Sequence, residues 1–277
     1  MRKIEVCCTS AEDVREAIHG GAIRVELCSA ISCGGVTPSH GLISEVVAAA
    51  AGKIRINVLI RPREGTFCYS ESEVRTMVSD IEFCREAGVD GVVIGALTPE
   101  GDIDIDICRR MVAAAGNMSV TFHRAFDVCR NPRQALEQVI GLGCDRLLTS
   151  GQQPKALAGA ELLANLVELA GGRIIVMPGS GINPGNIAEI ERITKASEFH
   201  STARASVPDP DRHHVSALGF DESADTGVIL RTTREVVKAL VNKKYCCPLK
   251  VSEQRDIHPQ CCCNGIADDF SEGKPLS

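Results

Sequence analysis

Two short stretches of this 277-residue chain repeat one pattern, a carboxylate and a thiol two positions apart: Glu5 and Cys7 in "IEVCC", then Glu26 and Cys28 in "VELC". Both stretches are β-branched, apolar runs that read as strands, where residues two apart share a face. Paired thiols can ligate a soft metal ion. A carboxylate buried beside them is costly unless it is paired or chemically employed. Cys8, by alternation, points to the opposite face and reads as a small buried hydrophobe.

Further on, polar residues gather wherever a strand-like run ends. "IRPREG" supplies Arg61 and Arg63, "FHRAFD" supplies His123, Arg124 and Asp127, "LTSG" supplies Ser150, and "EFHS" places Glu198 and His200 on one face. Arg61, Arg63 and Arg124 could clamp a carboxylate or phosphate. His123 would then carry a proton, with Glu26 or Glu198 as its partner. "MPGSG" adds Gly179, Ser180 and Gly181, whose backbone N–H groups suit an anion, although a tight turn explains the glycines equally well. A purely structural alternative pairs Arg61 with the inward carboxylates Glu5 or Glu26.

These residues need a scaffold that brings many strand ends to one place. Eight strand candidates occur: "KIEVCC" (3–8), "IRVELC" (23–28), "RINVLI" (55–60), "GVVIGA" (91–96), "SVTFH" (119–123), "DRLLTS" (145–150), "RIIVMP" (173–178) and "SEFHS" (197–201). Helix-start signals follow most of them. Ser10 to Asp13 and Ser70 to Glu73 have capping-box spacing. Thr37-Pro38, Thr98-Pro99, Asn131-Pro132 and Asn183-Pro184 set a capping residue before a proline. The last helix is expected over 229–242, after a long polar loop, 202–228, that contains His213 and His214. Strands alternating with helices in this number predict an α/β protein, a (β/α)₈ TIM barrel over residues 1–244, whose chemistry belongs at the strand C-terminal ends. A doubly wound open sheet is the competing fold, but it wants a Gly-rich turn after the first strand, and "CCTSAEDV" has none.

Composition narrows the function. The chain carries 30 basic and 36 acidic residues, net charge −6, and no basic block, so nucleic acid and anionic membrane are poor partners. Neither a signal peptide nor an apolar run long enough to span a membrane is present, which points to the cytosol. There cysteines stay reduced, so of the 14, most of the nine within the first 144 residues are read as small buried hydrophobes rather than a disulfide framework. Five of them, Cys246, Cys247, Cys261, Cys262 and Cys263, crowd with His258 into a polar tail, residues 245–277, which lacks periodicity and regular metal-finger spacing. That tail is expected to be a flexible appendage.

"VELCSAISCGGVTPSHG", "IRPREG", "VTFHRAFD", "LTSG", "MPGSGI" and "EFH" stand here in the order found in the CutC copper-homeostasis family, which the chain resembles over residues 4 to about 204. The resemblance implies a cytosolic (β/α)₈ barrel, a homo-oligomer, that handles Cu(I). It also implies that Cys7 and Cys28 are the metal ligands, copper ion being the partner they take. The chain departs from the family at Cys33, where a glutamate usually precedes Gly-Gly; Cys33 is therefore a candidate third thiol. A rival reading keeps the barrel but makes it an enzyme for a small anionic metabolite, phosphorylated or carboxylated. In that reading His123, Arg61, Arg124, Glu26, Glu198 and His200 are the catalytic candidates, and Gly179, Ser180, Gly181 and Arg63 hold the anion. The two readings share one mouth, where Arg61, His123, Ser180 and His200 should meet.

Overall fold

The computed structural model describes residues 1–209 and 228–243. Its eight-stranded parallel sheet is formed by β1 (Lys3–Cys8), β2 (Arg24–Leu27), β3 (Arg55–Leu59), β4 (Gly91–Ile94), β5 (Ser119–Phe122), β6 (Arg146–Thr149), β7 (Ile175–Pro178) and β8 (Glu198–Ser201). The strands run in the order β7-β6-β5-β4-β3-β2-β1-β8, and β7 lies against β8, so the ring is nearly closed. A helix follows each strand: α1 (Ala11–Gly20), α2 (His40–Ala50), α3 (Glu71–Ala87), α4 (Ile105–Ala115), α5 (Pro132–Gly141), α6 (Ala160–Ala170), α7 (Ile187–Thr194) and α8 (Arg234–Val241). This is the expected (β/α)₈ barrel. No helix among the described residues is long and apolar enough to cross a membrane.

Local chemistry explains most helix starts. Ser70 and Glu73 form a reciprocal capping box at α3, and Asn131 caps α5 with Pro132 in its first turn. At α1 the Ser10 hydroxyl accepts from the Asp13 N–H, but the Asp13 carboxylate reaches back to Thr9 instead of closing the box. Three starts fall later than their Xaa-Pro signals. α2 is capped by Ser39, α4 by Asp104, and α7 begins at Ile187. At α4 the intervening residues fold into a turn, with the Thr98 N–H donating to Asp102 O; at α7 Asn183 Oδ1 caps the Gly185 N–H. The proline opens a turn there rather than the helix itself.

The expected helix over 229–242 is corrected at its start. Residues Val228–Thr232 form β10, antiparallel to β9 (Arg204–Pro208), and α8 begins only at Arg234. The run "VILRT" is rich in β-branched residues, and its pairing with β9 satisfies backbone groups that a fraying first helical turn would leave open. The Thr232 hydroxyl donates to Thr202 O and anchors the hairpin to the end of β8. His213, His214, Cys246, Cys247, His258, Cys261, Cys262 and Cys263 lie outside the described residues, as does the expected tail 245–277.

Most of the apolar core sits between strands and helices. Ile4, Val6 and Cys8 of β1, Val25 and Leu27 of β2, and Val58 of β3 face outward into it, with Cys8 buried as alternation required. The inward faces mix charged and polar groups with a few apolar side chains: a small cluster of Cys7, Cys28, Leu59 and Val93, together with Leu148 and Met177. The fold thus keeps its hydrophobic stabilisation outside the lumen and leaves the lumen free for charged groups.

Closure of the helical ring depends on Gly20. A methyl group there would overlap Val237 Cβ and Cγ1 and approach Arg234 O at 3.2 Å. Gly20→Ala must therefore push α1 off α8, and overpacking of this kind costs about 1–3 kcal/mol despite alanine's better helix propensity. The expected result is a lower urea midpoint with an unchanged m-value; a midpoint equal to or above the parent's would contradict this packing.

Candidate functional site

The lowest polar layer of the lumen is a charge network. Arg24 donates through Nε to Glu5 and through Nη2 to Glu198 at 2.7 Å, and Arg146 Nε donates to the same Glu198 oxygen at 3.1 Å. Strand register produces this network, since Glu5 is level with Arg24 on one side and with His200 on the other. His200 Nδ1 lies 2.8 Å from Glu5 Oε1. Burial alone would raise the Glu5 carboxyl, but the His200 hydrogen bond and the Arg24 charge overcome it and hold Glu5 down at about 2. Burial likewise disfavours the His200 imidazolium, yet the Glu26 charge and the Glu5 hydrogen bond raise its pKa on balance. The structural pairing of Arg61 with Glu5 or Glu26 is not formed. Arg61 donates instead to the carbonyl oxygens of Cys33, Gly35 and Gly65 and lies 5.0 Å from the Phe67 ring centroid.

One layer higher, both Glu-x-Cys motifs meet. Cys7 is level with Glu26 in the β1–β2 ladder, and Cys28 follows directly after β2. The sulfurs of Cys7 and Cys28 are 3.4 Å apart in a hydrogen bond that either thiol can donate. That bond, together with burial, pushes the Cys7 thiol well above its ordinary range. Glu26 Oε2 is buried with no hydrogen-bond partner among the described residues, and burial raises its carboxyl to about 7. One ligand atom each from Cys7, Glu26 and His200 falls within 4.8 Å of the others. Gly35 closes over this group with φ +88°; a methyl group there would sit 3.5 Å from Cys28 Sγ and 2.8 Å from Leu59 Cδ2. Cys33 stands apart, half-buried, with its thiol donating to Ala30 O.

Above these thiols a cavity of about 430 Å³ opens at the strand C-terminal ends. Arg61, His123, Ser180 and His200 all line it, so the four residues do share one mouth, together with Cys7, Glu26, Arg124 and Gly181. His123 accepts a hydrogen bond from the Ala125 N–H through Nδ1 at 3.1 Å, and its Nε2 has no partner among the described residues. Burial and the Arg61 charge lower its pKa to about 3, so the ring is neutral at pH 7 and offers a donor in place of a transferable proton. A methyl group at Gly95 would meet the His123 ring at 2.5 Å, which explains the glycine behind it. Arg124 is steered by Asp127 at 2.7 Å and by the Ser150 hydroxyl at 3.1 Å.

Three candidates lie elsewhere. Arg63 turns outward to Glu73 and to the carbonyl oxygens of Glu64, Thr66 and Cys68. The Gly179 N–H is taken by Thr149 O, and Glu198 belongs to the arginine layer beneath the cavity. Conversely, Arg24, Arg146 and Lys155 carry weight that the strand-end reading did not give them. Arg24 shares its face with Glu26 two residues on, which is a visible signal; Lys155, in a loop, offers none.

Glu26 sets a pH dependence in the metal-free protein. A carboxyl raised in the folded state stabilises fully below its ordinary value of 4.5, and that contribution is lost as pH rises through about 7. Glu26→Gln should therefore raise stability at pH 8 by about 2–3 kcal/mol and change it little at pH 5. Urea unfolding under reducing conditions at both pH values measures this; equal effects at the two would contradict a buried, unpaired carboxyl.

The CutC family model matches residues 2–205. The family protein CutC of Parabacteroides distasonis is 51% identical over 242 residues, spanning 87% of this chain and 99% of the relative. That of Chromobacterium violaceum is 47% identical over 240 residues, spanning 86% and 96%. The crystal structure of CutC from Streptococcus agalactiae, a protein named for copper homeostasis, superposes with a TM-score of 0.70 at 32% identity, covering 73% of this chain and 99% of that one. This chain belongs to the CutC family.

Proposed function

We propose that this protein serves copper homeostasis by holding one Cu(I) between Cys7 and Cys28 on the floor of its cavity. One observation carries the reading: two buried thiols from adjacent strands have sulfurs 3.4 Å apart, close enough to contact a single ion with metal–sulfur bonds of about 2.3 Å. Thiolates select soft Cu(I) over the hard divalent cations of the cell. His200 and the unpartnered Glu26 stand next to Cys7, so a third ligand or a charge-balancing group is within reach. Glu26 is the weaker candidate for ligation, because a carboxylate is a hard donor. The name of the Streptococcus agalactiae relative supports the same metal. The reading carries with it a cytosolic location, where free thiols persist, and a homo-oligomeric assembly.

Thiolate ligation releases protons, and the Cys7 thiol is held above its ordinary range, so apparent Cu(I) affinity should climb as pH rises from 6 to 8. The measurement is anaerobic competition against a Cu(I) chelator, on full-length protein whose five tail cysteines are changed to serine. Cys7→Ser and Cys28→Ser should each weaken binding by about 100-fold or more, since losing even an outer-shell partner costs 10–100-fold. Cys84→Ser, Cys108→Ser and Cys144→Ser, at buried sites outside the cavity, should leave affinity unchanged. Unaltered affinity in the Cys7→Ser, Cys28→Ser double variant would remove the copper site.

A further inference from the structure

The cavity wall formed by the loops after β3, β5, β6 and β7 is cationic, and no residue of it is a copper ligand in the reading above. His123 is 4% exposed and Arg61 7% exposed, and each has a nitrogen without a partner among the described residues, Nε2 of the imidazole and Nε of the guanidinium. The Ala125 N–H donates to His123 Nδ1, so the ring proton must reside on Nε2. The cavity wall therefore contains a neutral N–H donor with nothing to donate to. Leaving such a donor unsatisfied is costly, and a ligand oxygen would remove that cost. Phe67 packs against His123 with centroids 5.1 Å apart and against Arg61 at 5.0 Å, so both donors are held by one aromatic ring.

Nearer the opening the same wall changes character. Arg124 has its side chain 43% exposed and held by Asp127, and the stem of Lys155 lies over Gly181. Ser180 and Gly181 take left-handed backbone conformations, φ 76° and 70°, and their loop is tied to the Lys155 segment. The ties are Ser180 Oγ donating to Pro154 O at 2.7 Å and the Ala156 N–H donating to Ser180 O at 3.0 Å. Among the described residues, the N–H groups of Ser180 and Gly181 donate to no acceptor. The rim thus offers two exposed cations and a pair of backbone N–H donors, which suits a phosphate.

We infer that this cavity also binds a small organic phosphate bearing a second oxygen acceptor: the Nε2–H of His123 beside Arg61 takes the carboxylate or carbonyl oxygen, and Arg124, Lys155 and the Ser180–Gly181 loop take the phosphate. The ligand must be small, because the whole cavity is about 430 Å³. The lowered pKa of His123 fits this role, since an imidazole that stays neutral keeps its Nε2–H available across physiological pH.

2-Phosphoglycolate, which has both ends, is the probe, with inorganic phosphate and glycolate as its halves. Titration calorimetry on full-length, metal-free, reduced protein should show it binding at least about tenfold tighter than either half. His123→Leu should bring its affinity down to that of inorganic phosphate, while His123→Gln, which keeps an N–H donor, should hold most of it. Arg124→Ala and Lys155→Ala, both at the exposed rim, should weaken phosphoglycolate and phosphate alike. Long-range ¹H–¹⁵N correlation should show the free His123 ring protonated at Nε2. The proposal is overturned by an Nδ1-protonated ring, by equal affinities of phosphoglycolate and phosphate, or by no heat of binding at about 10 mM probe. The same titration on the Cys7→Ser, Cys28→Ser double variant should be unchanged, which separates this proposal from the copper reading; loss of phosphoglycolate binding there would also overturn it.

Discussion

Arg24 lies buried between Glu5 and Glu198, and the electrostatics of the lumen follow from that placement. Three carboxylates, Glu5, Glu26 and Glu198, point inward, against the two arginines Arg24 and Arg146. Arg24 is shared by two carboxylates, Arg146 reinforces Glu198, and His200 completes Glu5. Glu26 is then the carboxylate left over. Its high pKa and the raised pKa of His200 are coupled through the charges of neighbouring groups, and their titration belongs to the pair. Networks of this kind are seldom more stable than the apolar core that could replace them. What this one achieves is placement, with His200 fixed by Glu5 and an unpaired carboxyl set beside a thiol.

That arrangement exists because of strand register. Parallel neighbours in a barrel are staggered, so the two Glu-x-Cys motifs do not face each other residue for residue. Glu5 meets Arg24, Cys7 meets Glu26, and Cys28 lies beyond the paired strand. The stagger separates the carboxylates into different layers and sets Cys28 beyond the level of Cys7, yet the two sulfurs still meet at 3.4 Å. A one-residue slip of β2 would turn Glu26 and Cys28 toward the helices and destroy the site.

Much of this was legible in the sequence. Alternation placed Glu5, Cys7, Glu26 and Cys28 on the inward face and Cys8 in the outer core, and strand–helix alternation identified the barrel. The convergence of Arg61, His123, Ser180 and His200 followed from one rule, that barrel chemistry sits at strand C-terminal ends. The same rule caused the main oversight. Attention to strand ends passed over Arg24 and Arg146 at strand starts, where the partners of the buried carboxylates lie, and so Arg61 was considered for a task it does not perform. Arg63 illustrates a different limit: two residues from Arg61 on a turning loop, it no longer shares a face with it, because period-two alternation stops where the strand stops. The start of α8 was missed because "VILRT" has apolar residues compatible with either periodicity, and only pairing with β9, whose outcome depends on tertiary contact, makes it a strand.

The mouth therefore has two chemically distinct halves, thiols and a carboxyl on β1 and β2, cations and neutral donors on the loops after β3, β5, β6 and β7. Charge links them. Two thiolates around one Cu(I) carry a net charge of −1, added to a floor where Glu26 already has no partner of its own. Such a centre gains from a protonated Glu26 and a cationic His200, and from the guanidinium of Arg61 on the loop after β3. An anion held at the rim would draw on the same positive field. Copper on the thiols and an anion on the cations would then compete for one supply of positive charge, so each should weaken the other, and by thermodynamic linkage the coupling must be equal in both directions.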